Sequence, residues 1–271
     1  MIKTVFLPSL LLVSTALACP ALASSSDWYQ VEGGNVRLVT TGAADANGVI
    51  AGVLEIDLKP GWKTYWRDPG DAGVPPTLDA SASSNIASAE LSFPAPQRFN
   101  DGFAIWAGYN EPVGIPVAFA LTDARQPATI EAKVFLGICE TICIPVQATF
   151  TVDPASDPDN ADDAAVVKAA LDALPGPEQP DFGATLLKGG KDEVLVEAAF
   201  AGEPGAVDFF LAGDGGYQFG PPERRTEGER LMFSVPILDR PEQNPSTGAL
   251  HYTLVTGAGA VSGTLPCPPV E

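Results

Sequence analysis

Thr129-Ile130-Glu131-Ala132-Lys133-Val134-Phe135-Leu136, continued by Gly137-Ile138-Cys139-Glu140-Thr141-Ile142-Cys143 and then Ile144-Pro145-Val146-Gln147-Ala148-Thr149-Phe150-Thr151-Val152, is the stretch that decides the fold class. Apolar Ile130, Ala132, Val134 and Leu136 alternate with charged Glu131 and Lys133, the period of two that a half-buried strand requires. Ile144–Val152 carries the same character in β-branched and aromatic residues. Strand signal stops at Leu136 and resumes at Ile144, so Glu140–Ile142 reads as a hairpin turn with Cys139 and Cys143 on its flanks. Working outward, Val36–Thr41, Val49–Leu58, Ile86–Phe93 and Ile115–Leu121 read as further strands. Gly33-Gly34, Asn47-Gly48, Pro60-Gly61, Pro69-Gly70, Pro75-Pro76 and Asn100-Asp101-Gly102 punctuate them. No amphipathic helix lies between these strands. An antiparallel sandwich is therefore expected, not alternating strands and helices.

The pattern breaks at Asp153-Pro154. Asp159 to Leu174 reads as a helix, with Asp159 or Asn160 as cap, Ala164, Val167, Leu171 and Leu174 at helical spacing, and Pro175-Gly176-Pro177 as its stop. Strand signals return at Ala184–Leu187, Val194–Phe200, Val207–Leu211, Leu231–Val235 and Leu250–Val255. The expectation is an all-β protein of two β-sandwich domains, 24–153 and 181–271, joined by an acidic linker, 154–180, with a short helix. Composition agrees: 27 Gly and 26 Pro favour turns and short strands. At 45% hydrophobic and 18% charged the chain is not a disordered acidic tail. The net charge of −19 argues against nucleic acid and anionic membrane surface as partners. One His and two Met leave little material for zinc, copper or haem, so neither metal nor cofactor is expected.

Residues 1–23 read as a signal peptide. Met1-Ile2-Lys3 gives a positive start, Val5 to Ala18 is apolar, and Ala21-Leu22-Ala23 supplies a small-x-small site for cleavage before Ser24. Ala16-Leu17-Ala18 and Pro20 argue against a lipoprotein cleaved before Cys19. No later window is long and apolar enough to span a bilayer. The expected mature protein is exported and not membrane-spanning, periplasmic if its source is a Gram-negative bacterium.

Cys139, Cys143 and Cys267 then remain, an odd number for an exported protein. Cysteines flanking a tight hairpin turn face each other closely enough for a disulfide. Closing a loop of about five residues removes roughly 2 kcal/mol of unfolded-state entropy, so such a bridge stabilises little. A structural staple and a redox pair both stay open from spacing alone. Between Val134 and Phe150 the sole charge is Glu140, which disfavours a thiolate and so favours a reductant relay over an oxidant. Cys267, in Leu265-Pro266-Cys267-Pro268-Pro269, reads as an exposed cysteine on a Pro-rich tail, with intermolecular pairing or an auxiliary relay as the alternative, and His251 as a strand residue without chemistry. Two aromatic segments read as loops: Gly61-Trp62-Lys63-Thr64-Tyr65-Trp66-Arg67-Asp68-Pro69-Gly70 and Arg98-Phe99-Asn100-Asp101-Gly102-Phe103-Ala104-Ile105-Trp106-Ala107-Gly108-Tyr109. Such aromatics serve either as core plugs or as a lid that shields a disulfide.

The Trp62 segment, the Phe103–Tyr109 segment and the late cysteine pair, in that order, resemble the periplasmic N-terminal (alpha) domain of the DsbD/ScsB disulfide reductases. The resemblance covers about Trp28 to Asp153, and the remainder resembles the second immunoglobulin-like unit of ScsB-type proteins. It implies two immunoglobulin-like sandwiches and a thiol:disulfide oxidoreductase of the protein-disulfide reductase type. It implies electron transfer from a membrane-embedded donor, here a separate protein, to periplasmic thioredoxin-fold partners such as disulfide isomerases and cytochrome c maturation factors. Cys143 matches the cysteine that forms mixed disulfides and Cys139 its resolving mate. Phe103, with Ile105 and Trp106 beside it, falls where the family's cap loop covers the disulfide, and Tyr109 ends that segment. Trp62 and Tyr65 fall where aromatics line the groove. The three-residue spacing of the cysteines is shorter than in the best-known members. The alternative reading is a non-catalytic immunoglobulin-like binding module with a structural hairpin disulfide.

Overall fold

The structure, a computed structural model, describes residues 24–70, 73–100, 102, 104–202, 207–242 and 248–268. The expected signal peptide, Cys19 and Phe103 lie outside the described residues. The first half contains β1 (Tyr29–Val31), β2 (Gly34–Thr40), β3 (Val49–Leu58), β4 (Thr64–Tyr65), β5 (Thr77–Asp79), β6 (Ile86–Leu91), β7 (Gln97–Asn100), β8 (Ile105–Tyr109), β9 (Val113–Leu121), β10 (Ile130–Cys139) and β11 (Cys143–Val152). After helix α1 (Ala161–Asp172) come β12 (Gly176–Pro177), β13 (Gly183–Gly189), β14 (Glu193–Ala199), β15 (Asp208–Gly213), β16 (Gln218–Phe219), β17 (Glu223–Glu227), β18 (Arg230–Asp239), β19 (Ala249–Thr256) and β20 (Gly259–Pro266).

Two sheets, β1-β2-β3-β9-β6 and β11-β10-β5, face each other as the first sandwich. Alternation fills the space between them: Val36, Leu38, Leu54, Ile56, Ile115, Val117 and Phe119 from one sheet meet Ile130, Val134, Leu136, Ile138, Val146, Phe150 and Val152 from the other. Each such aliphatic side chain withdrawn from water contributes about 1.5–3 kcal/mol. A third, small sheet, β4-β8-β7, lies beside this sandwich. Within the aromatic segment expected as a loop, Arg98–Asn100 and Ile105–Tyr109 are thus strands of an antiparallel ribbon. The second sandwich pairs sheets β12-β20-β19-β15 and β13-β14-β18-β16, with β17 on β18, around Val194, Val196, Phe209, Phe233, Val235, Leu250, Tyr252 and Leu254. The fold is all-β with two immunoglobulin-like sandwiches.

Asn160 caps α1, its Oδ1 accepting from Asp162 N–H at 3.1 Å and Asp163 N–H at 3.0 Å. The helix docks on the first sandwich through Val167 and Ala170 against Val39 and Val53. Leu171, expected on its apolar stripe, is 44% exposed. The close approach of α1 to Gly114, where an added Cβ would stand 3.0 Å from Ala170 Cβ, selects small Ala170 for the buried face. No helix among the described residues is long and apolar enough to cross a membrane.

Candidate functional site

β10 sends Ile130, Ala132, Val134, Leu136 and Ile138 into the core, so Gly137 and Cys139 face outward. The antiparallel register with β11 ends on the rung Cys139↔Cys143. Cys139 N–H donates to Lys63 O at 2.9 Å, and Lys63 N–H donates to Cys139 O at 2.8 Å. Both main-chain groups of Cys139 are thereby turned toward Lys63 and away from Cys143, so the cysteine rung is of the non-hydrogen-bonded kind. Those rungs bring paired side chains closest, and here the Cα atoms are 4.1 Å apart and the sulfurs are joined in a disulfide. The turn is closed by Glu140 N–H donating to Ile142 O at 3.2 Å. Ile142 stands 71% exposed at its tip.

The two sulfur-bearing residues differ sharply in access. Cys139 is 1% exposed, whereas Cys143 is exposed. Cys139 is covered by Tyr65 and Trp106, with Val74 and Phe99 packed against them. Phe99 stacks on Trp106 with ring centroids 4.1 Å apart, and Tyr65 meets Trp106 edge-on at 5.8 Å. The Tyr65 hydroxyl lies 3.5 Å from Cys143 Sγ. Thr64 Oγ1 donates to Gly137 O at 2.9 Å and ties β4 to the end of β10. Gly108 permits the close seat of β8 on β4, since an added Cβ would fall 2.2 Å from Thr64 O.

Of the residues singled out from sequence, Cys139, Cys143, Tyr65 and Trp106 are brought together. Trp62 instead packs on the sandwich core, its ring filling the space over Gly33 beside Ile138. Tyr109 and Ile105 are displaced from the disulfide by the strand period: they share the face of Ala107, opposite to that of Trp106. The Tyr109 hydroxyl donates to Pro94 O at 2.8 Å, and burial pushes its ionisation far above the ordinary phenol range. Lys63 and Phe99 were not singled out from sequence. Aromatics on both sides of Asn100-Asp101-Gly102 carried a hairpin signal that points to Phe99. Nothing local points to Lys63, whose ammonium sits 4.4 Å over the Trp106 ring. A cation is therefore delivered to the neighbourhood where sequence proximity placed only Glu140.

Cys267 is half-buried against the second core, at the end of β20, and not on an open tail. Burial, helped by the Asp214 carboxylate, pushes its thiol above the usual value. Among the described residues no group of three or more His, Cys, Asp and Glu is placed to hold a metal ion. The arrangement can perform one chemistry directly, thiol–disulfide exchange at an exposed sulfur with a buried neighbour.

The N-terminal-domain family of the thiol:disulfide interchange protein DsbD matches residues 36–154. Among solved structures, the N-terminal periplasmic domain of ScsB from Proteus mirabilis superposes with a TM-score of 0.70 at 19% identity, over 90% of this chain and 99% of that one. Among curated proteins no match is found.

Proposed function

We propose that the protein relays electrons through Cys139–Cys143 to thioredoxin-fold partners of the periplasm, a reading supported by the match of residues 36–154 to the DsbD N-terminal domain family. The observation that carries the reading is the unequal burial of the two cysteines on one rung. A dithiol donor held in the membrane charges the site. Its thiolate attacks Cys143 Sγ, the Cys139–Cys143 bond breaks, and Cys139 leaves as a thiolate that takes up a proton. The donor's second thiol then displaces Cys143 and closes the donor's own disulfide, leaving both cysteines reduced.

Discharge runs the same steps outward. The Cys143 thiolate attacks a sulfur of the partner's disulfide, forming a mixed disulfide and releasing the partner's other sulfur, which is protonated. Cys139 then attacks Cys143 Sγ, restoring the internal bridge and freeing the partner as a dithiol. Two electrons and two protons pass per cycle. The site residues serve as follows: Cys143 meets partners, Cys139 resolves, and Tyr65, Trp106 and Phe99 keep Cys139 from direct attack. Export through the 1–23 segment fits a periplasmic setting, and cytochrome c maturation factors and disulfide isomerases are acceptors of the right class.

Trapping tests this. Cys139→Ser should hold partners on Cys143 as mixed disulfides that dissolve on reduction, and Cys143→Ser should not. The reduction potential supplies the second reading: a value between about −120 and −270 mV fits an exchange protein, and one below about −300 mV fits an inert staple. Absence of capture by Cys139→Ser together with such a low potential would return the protein to a binding module.

A further inference from the structure

Neighbouring residues of the β7–β8 ribbon point to opposite faces, and the rungs Arg98↔Ala107 and Phe99↔Trp106 sort them. Phe99 and Trp106 share the face that closes on Tyr65 and Cys139. Arg98 and Ala107 share the other, and that face lies on the second sandwich. Arg98 Nε donates to both Asp208 carboxylate oxygens at 3.1 Å, and Nη2 donates to Phe209 O at 2.7 Å. Its guanidinium carbon sits 4.4 Å over the Phe210 ring. Around it Trp66, Ala107 and Tyr109 pack with Phe210 and Ala212. The Arg98 and Asp208 side chains keep only 24% and 37% of their exposure, so this pair is less screened than an open surface pair.

We propose that the second sandwich clamps the ribbon, with Arg98 as a positioning residue: by holding one face of β7–β8 it keeps the other closed on Cys139, and so confines exchange to Cys143. The purpose of the clamp rests on the exchange reading above; its existence does not. In thiol exchange the sulfur that is attacked fixes which one is left to resolve. A ribbon that swung away from Cys139 would let an incoming thiolate bond there and leave exposed Cys143 as the leaving group.

The experiment uses the full-length processed protein with Cys267→Ser, so that one thiol reacts at a time. Iodoacetamide, small and neutral, labels Cys139 in the Cys143→Ser variant and Cys143 in the Cys139→Ser variant. Each is measured with Arg98 intact and with Arg98→Ala, beside the urea midpoint. Losing hydrogen bonds from a charged donor should ease local opening enough to speed Cys139 labelling about tenfold while Cys143 changes by less than about twofold. Asp208→Ala should give a smaller rise at Cys139, because the Phe209 carbonyl and the Phe210 ring still hold Arg98. An unchanged Cys139 rate, or an equal acceleration of both cysteines, overturns the clamp, since general loosening does not choose between them. Should Arg98→Ala fail to fold, Arg98→Lys and Asp208→Asn allow the same ratio of labelling rates to be read, and an unchanged ratio in both overturns the clamp equally. No partner protein enters the measurement, so it can fail while trapping succeeds, and the reverse.

Discussion

Two of the long antiparallel hairpins among the described residues are built alike and end differently. β10–β11 runs in register from Ile130↔Val152 to Cys139↔Cys143, and β19–β20 from Ala249↔Pro266 to Thr256↔Gly259. Each drives alternate residues into its own sandwich core: Ile130 to Ile138 in the first, Leu250, Tyr252 and Leu254 in the second. The turn of β19–β20 is braced by its own residues, Thr256 Oγ1 donating to Gly259 O at 3.1 Å and accepting from Ala258 N–H at 3.2 Å. The end of β10–β11 is braced from outside, by Lys63 on the main chain of Cys139 and by the ribbon over its side chain. Each hairpin is associated with cysteine, yet one has a pair on a single rung and the other a lone thiol beyond its open end. What sets the bridged pair apart is thus a register position, a neighbour strand and a cover in addition to sulfur.

The sharpest way to break this comparison is to remove sulfur from each. Cys143→Ser should cost exchange with a thioredoxin-fold dithiol about three orders of magnitude or more, while Cys267→Ser changes the rate by less than about twofold. Stability should separate less: loss of the short-loop bridge costs roughly 2 kcal/mol in a urea titration. Equal rates for the two variants would mean the paired rung has no special chemistry.

Next in size is the cover. Trp106 is 5% exposed and contacts Tyr65, Phe99 and the Lys63 ammonium. Trp106→Ala should lower stability by about 3 kcal/mol, as expected for emptying a buried aromatic site. Trp106→Phe should recover part of that loss. The discriminating readout is the Cys139 labelling rate, which rises with Trp106→Ala and stays low when a buried aromatic of the second sandwich, Phe233, is truncated instead.

The division between legible and illegible features follows from distance along the chain. Alternation over Ile130–Val134 and over Ile144–Val152 exposes β10 and β11, and with them the cysteine turn, because register within a hairpin is a local property. β20 is hidden by its composition: in Gly259-Ala260-Val261-Ser262-Gly263-Thr264-Leu265-Pro266 just Val261 and Leu265 are fully buried, too sparse a period to stand out. The faces of the ribbon are illegible for a different reason. Whether Trp106 or Ile105 meets the disulfide depends on the pairing of β8 with β4, more than forty positions from Tyr65, and Arg98 finds its carboxylate 110 positions away. Composition around the cysteines likewise cannot show Lys63, which reaches them through a β-bridge.

A smaller effect probes the polar fastening of the second hairpin. Tyr252 is 1% exposed; its hydroxyl donates to the Glu178 carboxylate and accepts from Ala184 N–H at 3.0 Å. Burial and the Glu178 bond push its ionisation well above the ordinary phenol range, so the donor is present at every working pH. Tyr252→Phe should cost about 1–2 kcal/mol in urea unfolding, with no change in exchange rate. A change in exchange rate would mean that the second hairpin reaches the cysteine pair by a route other than the proposed clamp.

The smallest expected effect concerns the lone thiol itself. Burial first, and then the Asp214 carboxylate, raise the Cys267 pKa, so the folded protein holds this proton more tightly than the unfolded chain does. The sign follows from linkage. Where the native state binds more protons, stability falls as pH rises. The contribution is therefore complete below the ordinary thiol value of about 8.5 and is lost as pH climbs through the raised folded value. Cys267→Ser should flatten the alkaline decline of the thermal midpoint slightly between about pH 8 and 10 and leave pH 6 to 7 unaltered. Iodoacetamide labelling of Cys267 should have its pH midpoint above that of an unfolded thiol, and Asp214→Asn should bring it part of the way down, since burial persists. If Cys267 instead labels as fast at pH 7 as an exposed thiol, the second sandwich holds a reactive sulfur after all, and the difference between the two hairpins narrows to one of pairing alone.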